Sequence, residues 1–166
     1  MLLFRRRRSR LEQPTLWLPD ELLIDLQQQA TEHSPEETGG MLLGWRNGTD
    51  ILITTLVGPG PRAKQSRDQF TPDGAWQQHQ LEAIYRESGR TVTYLGDWHS
   101  HPHGSGRPSK RDRETAAAVA VTPDARAPQP LTLILAKRRR RWRAHAVIFL
   151  DDTLDPIRLN IYTRLP

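Results

Sequence analysis

Gly96-Asp97-Trp98-His99-Ser100-His101-Pro102 is the stretch from which the rest of the chain can be placed. Thr91 to Trp98 is rich in β-branched and aromatic residues, which predicts a strand running into His99. Alternate side chains of a strand point to one side, so His99 and His101 face together if the extended geometry persists that far. Gly104 to Pro108 follows as a Gly- and Pro-rich loop. Ser109 can cap a helix over 110–121, which sets Asp112 on its first turn. A strand end and a helix start then bring two imidazoles and a carboxylate towards one place.

Upstream, Leu22, Leu23, Leu26 and Ala30 recur at helical spacing, with Asp20 and Glu21 in the first turn, which predicts an amphipathic helix over 19–32. Thr38 to Trp45 reads as a buried strand opening on Gly39-Gly40. Asn47-Gly48 is a hairpin turn, and Ile51 to Val57 is the partner strand. Residues 58–74 read as one long loop. Asp73 to Glu87 reads as a second helix with Trp76, Leu81, Ile84 and Tyr85 inward. Downstream, Pro123 to Pro130 is a loop, and Leu131–Ala136, Trp142–Leu150 and Pro156–Tyr162 read as three last strands. The order α-β-β-α-β-α-β-β-β predicts a mixed α/β (α+β) domain over 15–166, preceded by a basic segment, 1–14, that reads as mobile or as the start of an edge strand.

A length of 166 residues suits one core. The absence of cysteine excludes disulfides, a thiol nucleophile, iron–sulfur clusters and Cys-based zinc sites. Any metal must sit on His, Asp or Glu. The net charge of +5 suggests nucleic acid until it is located. Residues 1–10 hold five Arg, and 137–143 hold six Lys and Arg, with no acid in either. With these eleven set aside, the remainder carries 13 basic and 19 acidic groups, a formal −6. Two local runs on an acidic body argue against a nucleic-acid face and favour solvated charge or steering of an acidic partner. Lys137 to Arg141 reads as a hairpin loop. No apolar run approaches the ~18 residues of a spanning helix. The start, apolar and then cationic, reverses the order of a secretory signal, so a cytoplasmic location is expected.

His99, His101 and Asp112 would leave a fourth tetrahedral position open, the ligand count of a catalytic zinc site. Such a site needs a base that is not a ligand, and Glu37, just before Gly39-Gly40, is the candidate. The Ser109 hydroxyl is placed to donate to a developing oxyanion. Blander readings stand beside these. Glu37 also has a lesser reading as a solvated loop acid. Ser109-Lys110-Arg111-Asp112 has the form of a capping box, which competes with metal for Asp112. Asp97 reads as structural before it reads as a partner of a ligand His, Trp98 as core, and His145 as a structural strand residue. His103 falls outside the spacing, and His33 and His79 read as solvated helix residues.

His99-Ser100-His101-Pro102, six residues, Ser109, two residues and Asp112 together resemble the JAMM (MPN+, JAB) metalloprotease motif. Glu37-Thr38-Gly39-Gly40-Met41-Leu42-Leu43-Gly44 resembles that family's upstream glutamate segment. The resemblance implies a cytidine-deaminase-like fold, a curved mixed sheet flanked by helices. It implies Zn2+ on His99, His101 and Asp112, with Glu37 as general acid/base and Ser109 as oxyanion donor.

Gly58-Pro59-Gly60-Pro61, Phe70-Thr71-Pro72-Asp73 and Gly96-Asp97-Trp98-His99 are similar to the small bacterial JAB peptidases. Those are encoded beside E1- and E2-like proteins in antiphage operons of the CBASS and Bil types. This narrower resemblance implies a deubiquitinase-like isopeptidase acting after the C-terminal Gly of a ubiquitin-like or similarly conjugated protein. The expected substrate tail adds a strand at a sheet edge near 91–98 or at the 58–74 loop, with 58–74 and 122–130 selecting it. Two other readings stay open: a JAMM peptidase acting on a sulfur-carrier protein in biosynthesis, and a non-catalytic scaffold.

Overall fold

A computed structural model describes residues 13–163. The basic N-terminal run, residues 1–10, lies outside the described residues. Ten strands and three helices follow in the order β1 (Thr15–Pro19), α1 (Asp20–His33), β2 (Gly39–Asn47), β3 (Asp50–Val57), β4 (Lys64–Gln65), β5 (Phe70–Thr71), α2 (Gly74–Glu87), β6 (Thr93–His101), α3 (Lys110–Ala120), β7 (Leu131–Arg138), β8 (Arg141–Leu150), β9 (Thr153–Pro156) and β10 (Arg158–Tyr162). Eight strands form one mixed sheet, ordered β10-β1-β3-β2-β6-β7-β8-β9. The fold class is the one the sequence predicts.

Local chemistry accounts for most of these elements. Asp20 and Glu21 sit in the first turn of α1, where negative charge suits the helix dipole. The helix stops at Ser34, because a residue before proline disfavours the helical region. Gly48 takes φ +60 in the β2–β3 turn, as Asn-Gly hairpins require. Leu26 and Ala30 of α1 are fully buried with Leu16, Leu18, Trp98, Leu133 and Leu135, so the core lies between α1 and one face of the sheet. Each large apolar side chain so buried contributes about 1.5–3 kcal/mol.

The structure departs from the expected elements in several places. Thr15–Pro19 forms a strand that no sequence pattern announced; it lies parallel to both β3 and β10. The long loop 58–74 contains the short β4–β5 hairpin. The half-buried Trp76, Leu81, Ile84 and Tyr85 of α2 are less inward than expected, and the buried residue is Gln77. Its amide donates to the Gly58 carbonyl at 2.8 Å. The basic run is not all loop: β7 and β8 extend into it, leaving Arg139 and Arg140, both at positive φ, as a two-residue turn.

The last expected strand is two, β9 and β10, separated by Ile157 alone yet lying at opposite ends of the strand order. One residue spans under 4 Å, so the sheet must curl until its ends meet. The Ile157 amide donates to the Ala146 carbonyl of β8 at 3.1 Å, closing that seam. The curl wraps the sheet around α1.

Gly40 is one of the places where the middle strands pack too closely for a side chain. A Cβ there would sit 1.9 Å from the Val57 carbonyl oxygen and 2.9 Å from Trp98 Nε1. Backbone on one side and a buried indole on the other leave nothing to yield. Gly40→Ala is expected to cost about 3 kcal/mol or more and to lower Tm by about 10 °C, read by calorimetry.

Candidate metal centre

Trp98 belongs to the α1 core, so its strand neighbours His99 and His101 point to the opposite face of the sheet. β6 runs through His101, so the extended geometry persists as far as two same-sided imidazoles require. Here α3 begins. His99 Nε2 lies 3.0 Å from His101 Nε2 and 3.2 Å from Asp112 Oδ1. Ligand atoms of the three side chains all fall within 4.8 Å of one another.

The surroundings fit a divalent metal. His101 Nδ1 lies 2.8 Å from the Ser105 carbonyl oxygen, an acceptor that fixes the proton on Nδ1 and leaves Nε2 as a lone pair facing the cluster. Burial lowers the His101 pKa from its ordinary value, favouring the neutral, ligating form. Two imidazole nitrogens and a carboxylate oxygen are the donor set that zinc accepts.

Asp112 resolves the competition posed by the capping box. The Ser109 amide donates to Oδ2 at 2.5 Å, while Oδ1 turns to His99. One carboxylate thus serves both purposes, one oxygen each. Burial pushes its pKa up, but hydrogen bonding and charge at His99, with the Ser109 amide, outweigh that and hold it well below the usual carboxylate range. The Ser109 hydroxyl accepts from the Asp112 amide at 3.2 Å, which leaves its own proton free to donate into the cleft.

Glu37 reaches the same cleft from two residues before β2. A cavity of about 700 Å³ is lined by Glu37, His99, His101, Ser109 and Asp112 together. Burial raises the Glu37 pKa from 4.5, partly opposed by His99. Ties between β6 and the residues after Glu37 hold it there. Gly39 pairs with His99 in the antiparallel β2–β6 register. The Thr38 amide donates to Ser100 Oγ at 3.0 Å, and the Ser100 amide to the Thr38 carbonyl at 2.8 Å. The β4–β5 hairpin adds two more, from the Glu37 amide to Ser66 O at 2.7 Å and from Gln65 Nε2 to Thr38 Oγ1 at 2.8 Å.

Sequence inspection missed Thr38, Gln65 and Ser100 as positioning residues. A signal existed for Ser100: a polar side chain between two His on the core side of a strand must find a partner. Ser100→Ala is expected to lower Tm by a few degrees and to cut kcat while metal content stays unchanged, as measured by calorimetry, kinetics and metal analysis.

Asp97 also faces the cleft. It accepts from the Tyr94 hydroxyl at 2.9 Å, and burial pushes it up to about 6. The register shift between Leu42 and Leu43 explains how residues three apart share a face: Leu95 is bulged out. Gly96 takes φ +153 there, and a Cβ would sit 2.1 Å from the Leu131 carbonyl. His145 is exposed and its ring covers Gly106; His103 is exposed and outside the cluster. His79 is exposed, and His33 Nδ1 contacts the Gln29 carbonyl at 2.8 Å.

The sequence profile of prokaryotic homologs of the JAB domain matches residues 19–145. The chain belongs to this family. The chain is 38% identical over 96 residues to a probable metalloprotease from Sinorhizobium fredii, a stretch covering 57% of this chain and 58% of that one. It is 32% identical over 79 residues to a CD-NTase/cGAS isopeptidase from Escherichia coli, covering 48% and 51%. A protein of that name from Pseudomonas aeruginosa is 38% identical over 77 residues, covering 44% and 46%. The chain thus spans about half the length of the curated relatives it matches. A solution structure of a protein from Desulfitobacterium hafniense superposes with a TM-score of 0.71 at 22% identity, covering 90% of this chain and 94% of that one, a likeness of fold.

One expectation about the cleft needs correcting. Residues 96–99 offer no sheet edge, because β6 is hydrogen-bonded there to β2 on one side and β7 on the other, while Thr93 and Tyr94 pair with β2 alone. The β4–β5 hairpin is what borders the cleft, through Gln69, Phe70 and Thr71. Of the 122–130 loop, only Pro130 lines it.

Proposed function

We propose that this JAB-family chain is a zinc-dependent isopeptidase that cleaves after the C-terminal Gly of a ubiquitin-like or similarly conjugated protein. The observation that carries this is the convergence of His99, His101 and Asp112 in one cleft with Glu37, a carboxylate outside the ligand set. A bound zinc supplies polarisation of the scissile carbonyl and a water acidified towards ~7. The chain's own groups do the rest. Glu37 takes a proton from the attacking water and returns it to the leaving amine. The Ser109 hydroxyl donates to the oxygen that gains charge. Burial raises Glu37's affinity for the proton it must hold between those two transfers.

Support for this substrate class comes from the relatives named CD-NTase/cGAS isopeptidases. An extended tail can lie against the β4–β5 hairpin, whose Gln69, Phe70 and Thr71 line the cleft. A role in a bacterial conjugation system of antiphage type, with E1/E2-like partners, is consistent with those names. The complete ligand set and Glu37 disfavour a scaffold. Among the described residues no helix is long and apolar enough to cross a membrane.

Metal analysis and cleavage of a ubiquitin-like fusion by the full chain test the proposal. One zinc per chain and release of the fused partner are expected. A chain that binds no metal, or that binds it and leaves the fusion intact, overturns it.

A further inference from the structure

The two walls of the cleft touch each other beside the site. One is the β4–β5 hairpin, which carries Gln69 at its turn; the other is the first turn of α3, which carries Arg111. With the Gln69 amide turned oxygen-first, that oxygen accepts from Arg111 Nη1 and Nη2 at 3.2 and 3.0 Å. Both residues line the cleft with Glu37, His99 and Asp112.

Arg111 is poorly placed for helix stability. A cation in the first turn opposes the helix dipole. Its neighbour Lys110 is compensated by Glu114 at 3.4 Å. The residue one turn on from Arg111 is Thr115, and among the described residues Arg111 forms no ion pair within 4 Å, though its charge acts on Glu37 across the cleft. A local rule broken at the rim of a candidate active site points to use rather than to stability. Gln69 is neutral and engages two of the five guanidinium N–H groups, leaving three for another acceptor. A carboxylate in its place would compete for those donors. The nearby Asp68 is instead engaged by Ser66 Oγ at 3.1 Å.

We propose that Arg111 is a substrate-binding residue. It donates to main-chain oxygens of an extended peptide entering between the hairpin and α3 and, once that peptide is cut, to its new carboxylate. The chemistry suits a Gly-ending tail, which offers the protein only backbone oxygens, and a planar fork matches a carboxylate bidentately. Gln69 holds the fork in place before the ligand arrives, which lowers the ordering cost. The carboxylate half of this assignment rests on the peptidase reading above.

The test uses the full chain carrying Glu37→Gln and a fluorescein-labelled hexapeptide ending in Gly-Gly, read by anisotropy. The peptide is made with a free α-carboxylate and with an amide terminus. Arg111→Ala is expected to weaken the free acid about tenfold or more, Arg111→Lys by less, and the acid-over-amide preference should vanish with Arg111. Tm should be unchanged or slightly higher, since an opposed cation is removed; if Arg111→Ala fails to fold, the comparison rests on Arg111→Lys. Equal binding by the parent and the Arg111 variant overturns the assignment, as does a parent that binds neither peptide. Zinc-loaded wild type that fails to cut a ubiquitin-like fusion, while peptide binding still depends on Arg111, rejects hydrolysis and keeps Arg111. Cleavage by Arg111→Ala with KM unchanged rejects Arg111 and keeps hydrolysis.

Discussion

Glu37→Gln is expected to keep its metal and lose about 10²–10⁴-fold in kcat. Gln is isosteric, so the Thr38 and Ser66 backbone ties that place residue 37 survive, while the proton-accepting oxygen is gone. Steady-state kinetics beside metal analysis separates this from loss of the site. Full activity in a metal-replete variant would remove Glu37 from the mechanism. A second signature lies in stability. Burial raises the folded-state pKa of Glu37 above 4.5, so ionising it costs the folded state free energy. That penalty is absent below the unfolded-state pKa and fully present above the folded-state pKa. Metal-free Glu37→Gln should therefore melt higher than metal-free wild type at pH 7, and the gap should close as pH falls below about 4.5. A constant gap across that range would mean that Glu37 does not titrate as described.

His99→Ala with His101→Ala is expected to abolish stoichiometric metal binding and to reduce activity by more than about 10³-fold. Asp112 alone cannot hold a divalent ion against water, and its Oδ2 is already committed to the Ser109 amide. The capping box does not need the imidazoles, so α3 should keep its N-terminus and the variant should stay folded. Circular dichroism controls for that. Metal retained at one equivalent by the double variant would place the site elsewhere. Asp112→Ala should behave differently from either His variant. It removes a ligand and a cap together, so metal loss should be accompanied by a loss of about 1 kcal/mol in helix stability.

Much of this was open to inspection before any fold was known. Asn47-Gly48 marks its hairpin because only a few residue types accept positive φ. Ser109 marks the start of α3 because an unpaired helix amide wants a side-chain oxygen. The spacing of His99 and His101 marks a shared face because strand side chains alternate. Each of these depends on neighbours a few residues away. β1 was illegible because four residues and a closing proline are too short to establish a period of their own; pairing with β3 and β10 makes them a strand. The split of 153–162 was illegible because one residue, Ile157, changes partner only when the sheet curls to meet itself.

Glu37 shows the same boundary at the site. Its type and its place before two glycines were readable, but a solvated acid would look identical. Its approach to His99 depends on the β2–β6 register, and a slip of one residue would turn it away. The sequence by itself determined the candidate trio of His99, His101 and Asp112, the strand–loop–helix that carries it and the glycines that let the middle strands close. The tertiary structure alone decided that Glu37 arrives beside that set, that Asp112 divides its two oxygens between cap and cluster, and that Gln69 meets Arg111 across the cleft. Those outcomes depend on contacts between segments far apart in the chain, whose register is set by packing of the whole sheet and not by any local preference.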